Sequence, residues 1–183
     1  DMVVDTRGRA YVGNFGADFQ GGAEMVPAKL ALVEPDGGVR VAADDLMFPN
    51  GMVITPDGKT LVVGESFAAR MTAFDVADDG ALSNRRVWAQ LDGALPDGCC
   101  LDAEGAIWVA SPISSEVLRV HEGGRVSRRI EVDTQAIACM LGGEDRMTLF
   151  ILTAGTLIPE EAAQRRDGRI ETVRVDVPGA GLP

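Results

Sequence analysis

The 183-residue chain carries one histidine, one tyrosine, two tryptophans and three cysteines. A single histidine, His121, rules out the usual zinc-finger spacing. Together with the lack of a GxSxG motif, it also argues against a Ser-His-Asp hydrolase. His121 falls on a strand ending "RVHEGG", where a solvent-facing or edge position is expected. Cys99 and Cys100 are adjacent, Cys139 stands apart, and no CxxC pair occurs. Neighbours on a strand point to opposite faces, so these cysteines read as small packing residues rather than a redox pair. Basic residues are in deficit, 17 against 28 acidic, for a net charge of −11. That balance argues against nucleic acid and anionic membrane as partners, because both reward Lys and Arg. No run of about eighteen apolar residues exists and no signal-peptide pattern precedes the first strand, so the expectation is a cytoplasmic protein.

What is present is repetition. Hydrophobic residues make up 46% and charged residues 25%, which suits an ordinary globular core. Four segments share an apolar strand, a turn and a second apolar strand: residues 1–15, 50–66, 97–112 and 138–154. Aligning the second strands puts Tyr11, Val62, Trp108 and Phe150 in one column, with steps of 51, 46 and 42 residues. A third strand follows each, and three of these lead through a Gly-bearing turn to a fourth. A period of this length with about four strands is the signature of a β-propeller. The fold class is therefore all-β, with repeats near 1–49, 50–96, 97–137 and 138–183. The one helix-like piece is "IPEEAAQRR" at 158–166, while Trp88 and Trp108 read as packing between blades.

The repeat also singles out a position. Asp97 lies 11 residues before Trp108, and Asn50 lies 12 before Val62, so both enter the innermost strand of a blade. The same slot falls on Ile137 in the fourth repeat and immediately before Asp1 in the first. Such slots converge on the mouth of the central channel in a radial array. An amide oxygen and a carboxylate suit a hard divalent cation. Asn-Gly and Asp-Gly are also common turn pairs, so spacing alone leaves a structural role open. Glu65 and Ser66 follow an inner strand and are within reach of the same mouth.

At "FPNGMVITPDGKTLVVGES", "ALSNRRVWAQL" and "LPDGCCLDAEGAIWVA" the chain resembles the gluconolactonase, senescence-marker-protein (regucalcin) and luciferin-regenerating-enzyme family. The resemblance implies a propeller of six blades in the intact protein, of which about four are present here, the N-terminal ones being absent. It implies a divalent-metal-dependent lactone hydrolase with Asn50 and Asp97 as metal ligands and Asp97 as candidate general base. A third ligand, a first-blade Glu, would lie upstream of residue 1. Asp18 aligns with an acidic residue near substrate. Calcium is the expected metal, with zinc, manganese or magnesium as alternatives. The implied partners are a small lactone and, at the open edge, a companion N-terminal segment or a second copy. The competing reading is a non-catalytic propeller that binds calcium or a protein, or an inactive truncated fragment.

Overall fold

The computed structural model describes residues 1–16 and 22–181. Their strands form four antiparallel sheets, each following chain order from the inside outward. Blade one holds β1 (Met2–Val4), β2 (Ala10–Val12), β3 (Ala28–Val33) and β4 (Val39–Leu46). Blade two holds β5 (Pro49–Ile54), β6 (Thr60–Glu65), β7 (Arg70–Val76) and β8 (Leu82–Gln90). Blade three holds β9 (Cys99–Leu101), β10 (Ile107–Ser111), β11 (Glu116–Val120) and β12 (Val126–Glu131). Blade four has three strands, β13 (Gln135–Gly142), β14 (Thr148–Ala154) and β15 (Arg169–Arg174). The four-bladed arrangement is that of a β-propeller. The helix expected at 158–166 forms as α1 (Pro159–Arg165), with Pro at its start, Glu160 and Glu161 in the first turn and Arg165 in the last. That order complements the helix dipole.

Blades pack face to face through three apolar clusters. Tyr11, Leu30 and Leu32 of blade one meet Leu61, Val63 and Phe74 of blade two. Trp88 of blade two packs with Leu101, Ile107 and Val109 of blade three, and Trp108 of blade three packs with Cys139, Leu149 and Ile151 of blade four. Both tryptophans thus lie between blades, as their repeat positions require. Cys100 and Cys139 are buried in the same cluster as free thiols.

Among the described residues, no blade packs against the two outermost faces of the array. Register places Met2 and Val4 of β1 on the same side as Val39 and Val41 of β4, and all four are exposed. On blade four, Leu152 pairs with Ile170, and both are exposed with Met140 beside them. The inner strands line a cavity of about 640 Å³, with Met2, Gly51, Met52, Cys99 and Met140 among its walls.

Candidate active site

Inner strands β5 and β9 run away from one end of the channel, and the second strand of each blade returns to it. Asn50 is the second residue of β5 and Asp97 stands two residues before β9, so both sit where the inner strands begin. Backbone bonds fix that entry. Asp97 N–H donates to the Ala110 carbonyl at 2.9 Å and Gly98 N–H to the Ile137 carbonyl at 2.9 Å, tying Asp97 to both its own blade and the next.

The glycines after these two residues are not turn formers. Neither Gly51 nor Gly98 has positive φ. A Cβ on Gly51 would lie 2.3 Å from the Asp97 carbonyl oxygen, and one on Gly98 would lie 2.6 Å from Ala138 Cβ. Adjacent inner strands approach so closely here that only hydrogen fits. The alternative left open by the sequence, ordinary Asn-Gly and Asp-Gly turns, does not hold: these dipeptides are strand entries with a spacer glycine.

Asn50 and Asp97 are brought together. The Asn50 amide hydrogen-bonds to the Asp97 carboxylate, and Asn50 Nδ2 donates to Ser66 Oγ at 3.2 Å. Ser66 Oγ in turn donates to the Pro96 carbonyl at 2.6 Å. Asp97, Asn50 and Ser66 therefore form one linked network across blades two and three. Burial pushes the Asp97 carboxyl from 3.8 up to about 6, against opposing hydrogen bonds from Asn50 and the Gly98 N–H. No arginine or lysine pairs with it among the described residues. Arg70 and Arg85 are paired instead with Glu65, at 2.9 and 3.3 Å.

Glu65, fully buried, is a fixed structural acid rather than a mouth residue. Burial works to raise its pKa, but hydrogen bonds from Arg70, Thr72 and the Met47 N–H outweigh it and hold the carboxyl low. Ile137 supplies only its carbonyl to the network. His121 is on the periphery, against Ser127 Oγ at 2.8 Å. Asp18 lies outside the described residues. Ser66 was within reach on sequence grounds, but its link to Asn50 is visible only in three dimensions. Gln135, at the start of β13, carries a buried Oε1 with no partner among the described residues. Nothing in its sequence context marks it.

Two side-chain oxygens, Asn50 Oδ1 and Asp97 carboxylate, are thus within one cluster. Among the described residues no group of three or more His, Cys, Asp or Glu could hold a metal. A partly desolvated carboxylate that no Arg or Lys pairs with among the described residues, beside the Asn50 amide, fits two ligands of a hard cation and leaves the others to water or substrate.

The description that matches this chain is the SMP-30/Gluconolactonase/LRE-like region, over residues 1–155. The chain belongs to that family. It is 31% identical over 171 residues to regucalcin of Danio rerio, covering 91% of this chain and 57% of that protein. It is 29% identical over 191 residues to 6-deoxy-6-sulfogluconolactonase of Pseudomonas putida, covering all of this chain and 64% of that one. Among solved structures, a calcium-binding protein, regucalcin, from Agrobacterium tumefaciens superposes with a TM-score of 0.82 at 23% identity, over all of this chain and 63% of that chain. The chain therefore spans about three-fifths of the length of these relatives. At family level, the lactonases among its relatives make a lactone hydrolase the activity to test.

Proposed function

We propose that this chain supplies part of the active site of a lactone hydrolase, with Asp97 as general base and Asn50 and Asp97 as metal ligands. The observation that carries the reading is the Asp97 carboxylate, half-buried and without an ion pair among the described residues, against Asn50 at the channel mouth. Membership of a family with lactonases in it supports the substrate class. With no cation bound, the Asp97 carboxyl stands near 6, so it is ionised at neutral pH and more basic than an ordinary aspartate; a cation on one of its oxygens would lower that basicity. In this reading Asp97 accepts a proton from water as the water oxygen attacks the lactone carbonyl. The acyl C–O bond of the ring breaks, and the proton passes to the departing alkoxide, leaving a hydroxy acid. Asn50 orients the carboxylate, and Ser66, held by the Pro96 carbonyl, orients Asn50. A divalent cation bound at the two oxygens, calcium being the first candidate given the calcium-binding relative, would supply carbonyl polarisation.

We also propose that the uncovered faces of blades one and four are closed, in the working protein, by further blades of the same kind. Exposed Met2, Val4, Val39 and Val41 on one side and Leu152 and Ile170 on the other support this, as does the longer span of the relatives. Hydrogen exchange on the product of the complete reading frame, against the 183-residue chain, tests it: β4 and β15 gain protection, and equal exchange overturns it.

The activity is tested on the same complete product with a pH-indicator lactone assay and calcium or manganese titration. Asp97→Asn should abolish hydrolysis while leaving the fold intact, and Asn50→Ala should weaken metal binding so that excess metal partly restores turnover. Full activity in the Asp97→Asn protein would overturn the assignment.

A further inference from the structure

Two successive carbonyls in the crossing from blade one to blade two face the same turn. Ser66 N–H donates to the Phe48 carbonyl at 3.1 Å, and Phe67 N–H to the Met47 carbonyl at 3.3 Å. Neighbouring carbonyls of an extended chain point opposite ways, so an extended residue 48 would turn one of them away. Right-handed helical backbone would bring both round, but it is disfavoured before a proline, and Pro49 follows. The chain takes the left-handed region instead, with Phe48 at φ 59°. That region suits glycine or asparagine, and an aromatic residue in it is a strained outlier.

The Phe48 ring accounts for how the strain is held. Phe48 is 8% exposed. It stacks with Phe15 of blade one at 4.7 Å between ring centroids, and Phe67 of blade two meets it edge-on at 5.0 Å. Both are arrangements that aromatic quadrupoles favour. Strain of this kind collects where a neighbouring group must be aimed. The group aimed here is Ser66. Held at its N–H by the Phe48 carbonyl, it accepts from Asn50 Nδ2 at 3.2 Å and donates to the Pro96 carbonyl at 2.6 Å.

We propose that Phe48 is a positioning residue for the site: clamped by Phe15 and Phe67, it fixes the carbonyl that seats Ser66 and, through Ser66, the Asn50 side chain. Its effect on turnover rests on the lactone-hydrolase reading above; its effect on Asn50 does not. The role sets an order among substitutions. Phe48→Ala loses the ring and keeps the cost of positive φ, so the backbone relaxes and the carbonyl leaves Ser66. Phe48→Gly loses the ring as well but enters the left-handed region freely, so the carbonyl stays in place more of the time. A ring that only filled space would give the reverse order, because the glycine chain has more freedom to lose on folding.

The test uses Phe48→Ala, Phe48→Gly and Phe15→Ala in the complete reading-frame product. Calcium is titrated by calorimetry, the Asn50 side-chain amide is followed by NMR in chelator, and lactone kinetics and urea midpoints are measured alongside. Loss of the signal in Asn50→Asp assigns it. Phe48→Ala should lose about tenfold in calcium affinity and in kcat with KM within about twofold, while Phe48→Gly and Phe15→Ala lose about threefold. The Asn50 resonance should move toward its solvent-exposed position in the same order. Phe48→Gly equal to or worse than Phe48→Ala in calcium affinity and in that resonance overturns the inference and leaves Phe48 a packing residue. A parental Asn50 resonance in Phe48→Ala overturns it as well. If Phe48→Ala does not fold, Phe15→Ala decides: calcium affinity and an Asn50 resonance equal to the parent's overturn the inference. A parent without turnover or calcium binding, in which the Asn50 resonance still moves more in Phe48→Ala than in Phe48→Gly, overturns the hydrolase reading and leaves the positioning role standing.

Discussion

Asp102 and Asp97 lie five residues apart at opposite ends of one inner strand, and they are handled in opposite ways. Asp102, at the far turn, is fully used by its own blade. Its Oδ1 accepts from the Glu104 and Ala106 N–H groups, and its Oδ2 is ion-paired with Arg119 at 2.7 Å. Asp5 repeats the pattern in blade one, accepting from the Arg7 and Arg9 N–H groups and the Arg9 side chain. Burial works against the Asp5 charge, but the bonds from Arg9 and Arg7 outweigh it and its carboxyl stays below the ordinary range. Asp97, at the mouth, has burial without a paired cation, and its carboxyl rises to about 6. The far turns satisfy their acids and so hold the blade shape. The mouth leaves its acid wanting a proton or a cation, which is the condition a reactive group needs.

The largest expected effect breaks the comparison directly. Asp97→Asn should cut lactone hydrolysis by a factor on the order of 100 to 10,000, the range for loss of a general base, with little change in circular dichroism. Asp102→Asn should do the reverse. It removes one charge of a buried pair and should cost about 3 kcal/mol of unfolding free energy, while the folded fraction keeps its turnover per active site. Denaturant titration and active-site-normalised rates read the two variants side by side. Equal loss of activity in both would erase the distinction between the two ends.

Gly98→Ala sharpens the role of the spacer. The new methyl would lie 2.6 Å from Ala138 Cβ and 2.7 Å from its Cα, so one inner strand must move away from the next. Overpacking of this kind costs about 1–3 kcal/mol, and because Gly98 follows Asp97, activity should drop with stability. Gly105→Ala is the control at the far turn. Nothing stands near its Cβ, and the cost there is that of a side chain at φ +78°, about 1 kcal/mol. Urea midpoints and hydrolysis rates for the two variants make the check.

The propeller was legible in the sequence because a radial fold repeats its strand order, and Tyr11, Trp108 and Phe150 came into register from spacing alone. Asn50 and Asp97 were legible as a recurring slot, but the meaning of their glycines was not. A dipeptide reports local turn preference, whereas Gly51 and Gly98 are set by the neighbouring blade's backbone. Glu65 illustrates the same limit: its partners Arg70, Thr72 and Arg85 come from two further strands, β7 and β8, of its own blade, and only their convergence removes it from the mouth. Phe48 escaped notice because its constraint is a backbone angle and two rings from other loops, outside any period that strand or helix patterning detects.

The smallest effect follows from the Asp97 carboxyl in the metal-free protein. Its folded pKa of about 6 exceeds the ordinary aspartate value of 3.8, so the native state binds the proton more tightly than the unfolded chain. The associated stability is present in full below pH 3.8, is lost as pH rises toward 6, and stays lost above it. Because the group is only half-buried, the difference is discounted to about 1–2 kcal/mol. Asp97→Asn cannot ionise and should escape this loss, so with chelator present it should be more stable than the parent at pH 7.5 and closely matched to it at pH 3.5. Added calcium should reverse the order at pH 7.5, since a cation that binds the carboxylate stabilises only the parent. Urea unfolding at the two pH values, with chelator and with calcium, reads all four quantities. A parent that is the more stable at pH 7.5 in chelator would mean that Asp97 is satisfied like Asp102, and the contrast between the two ends would fall.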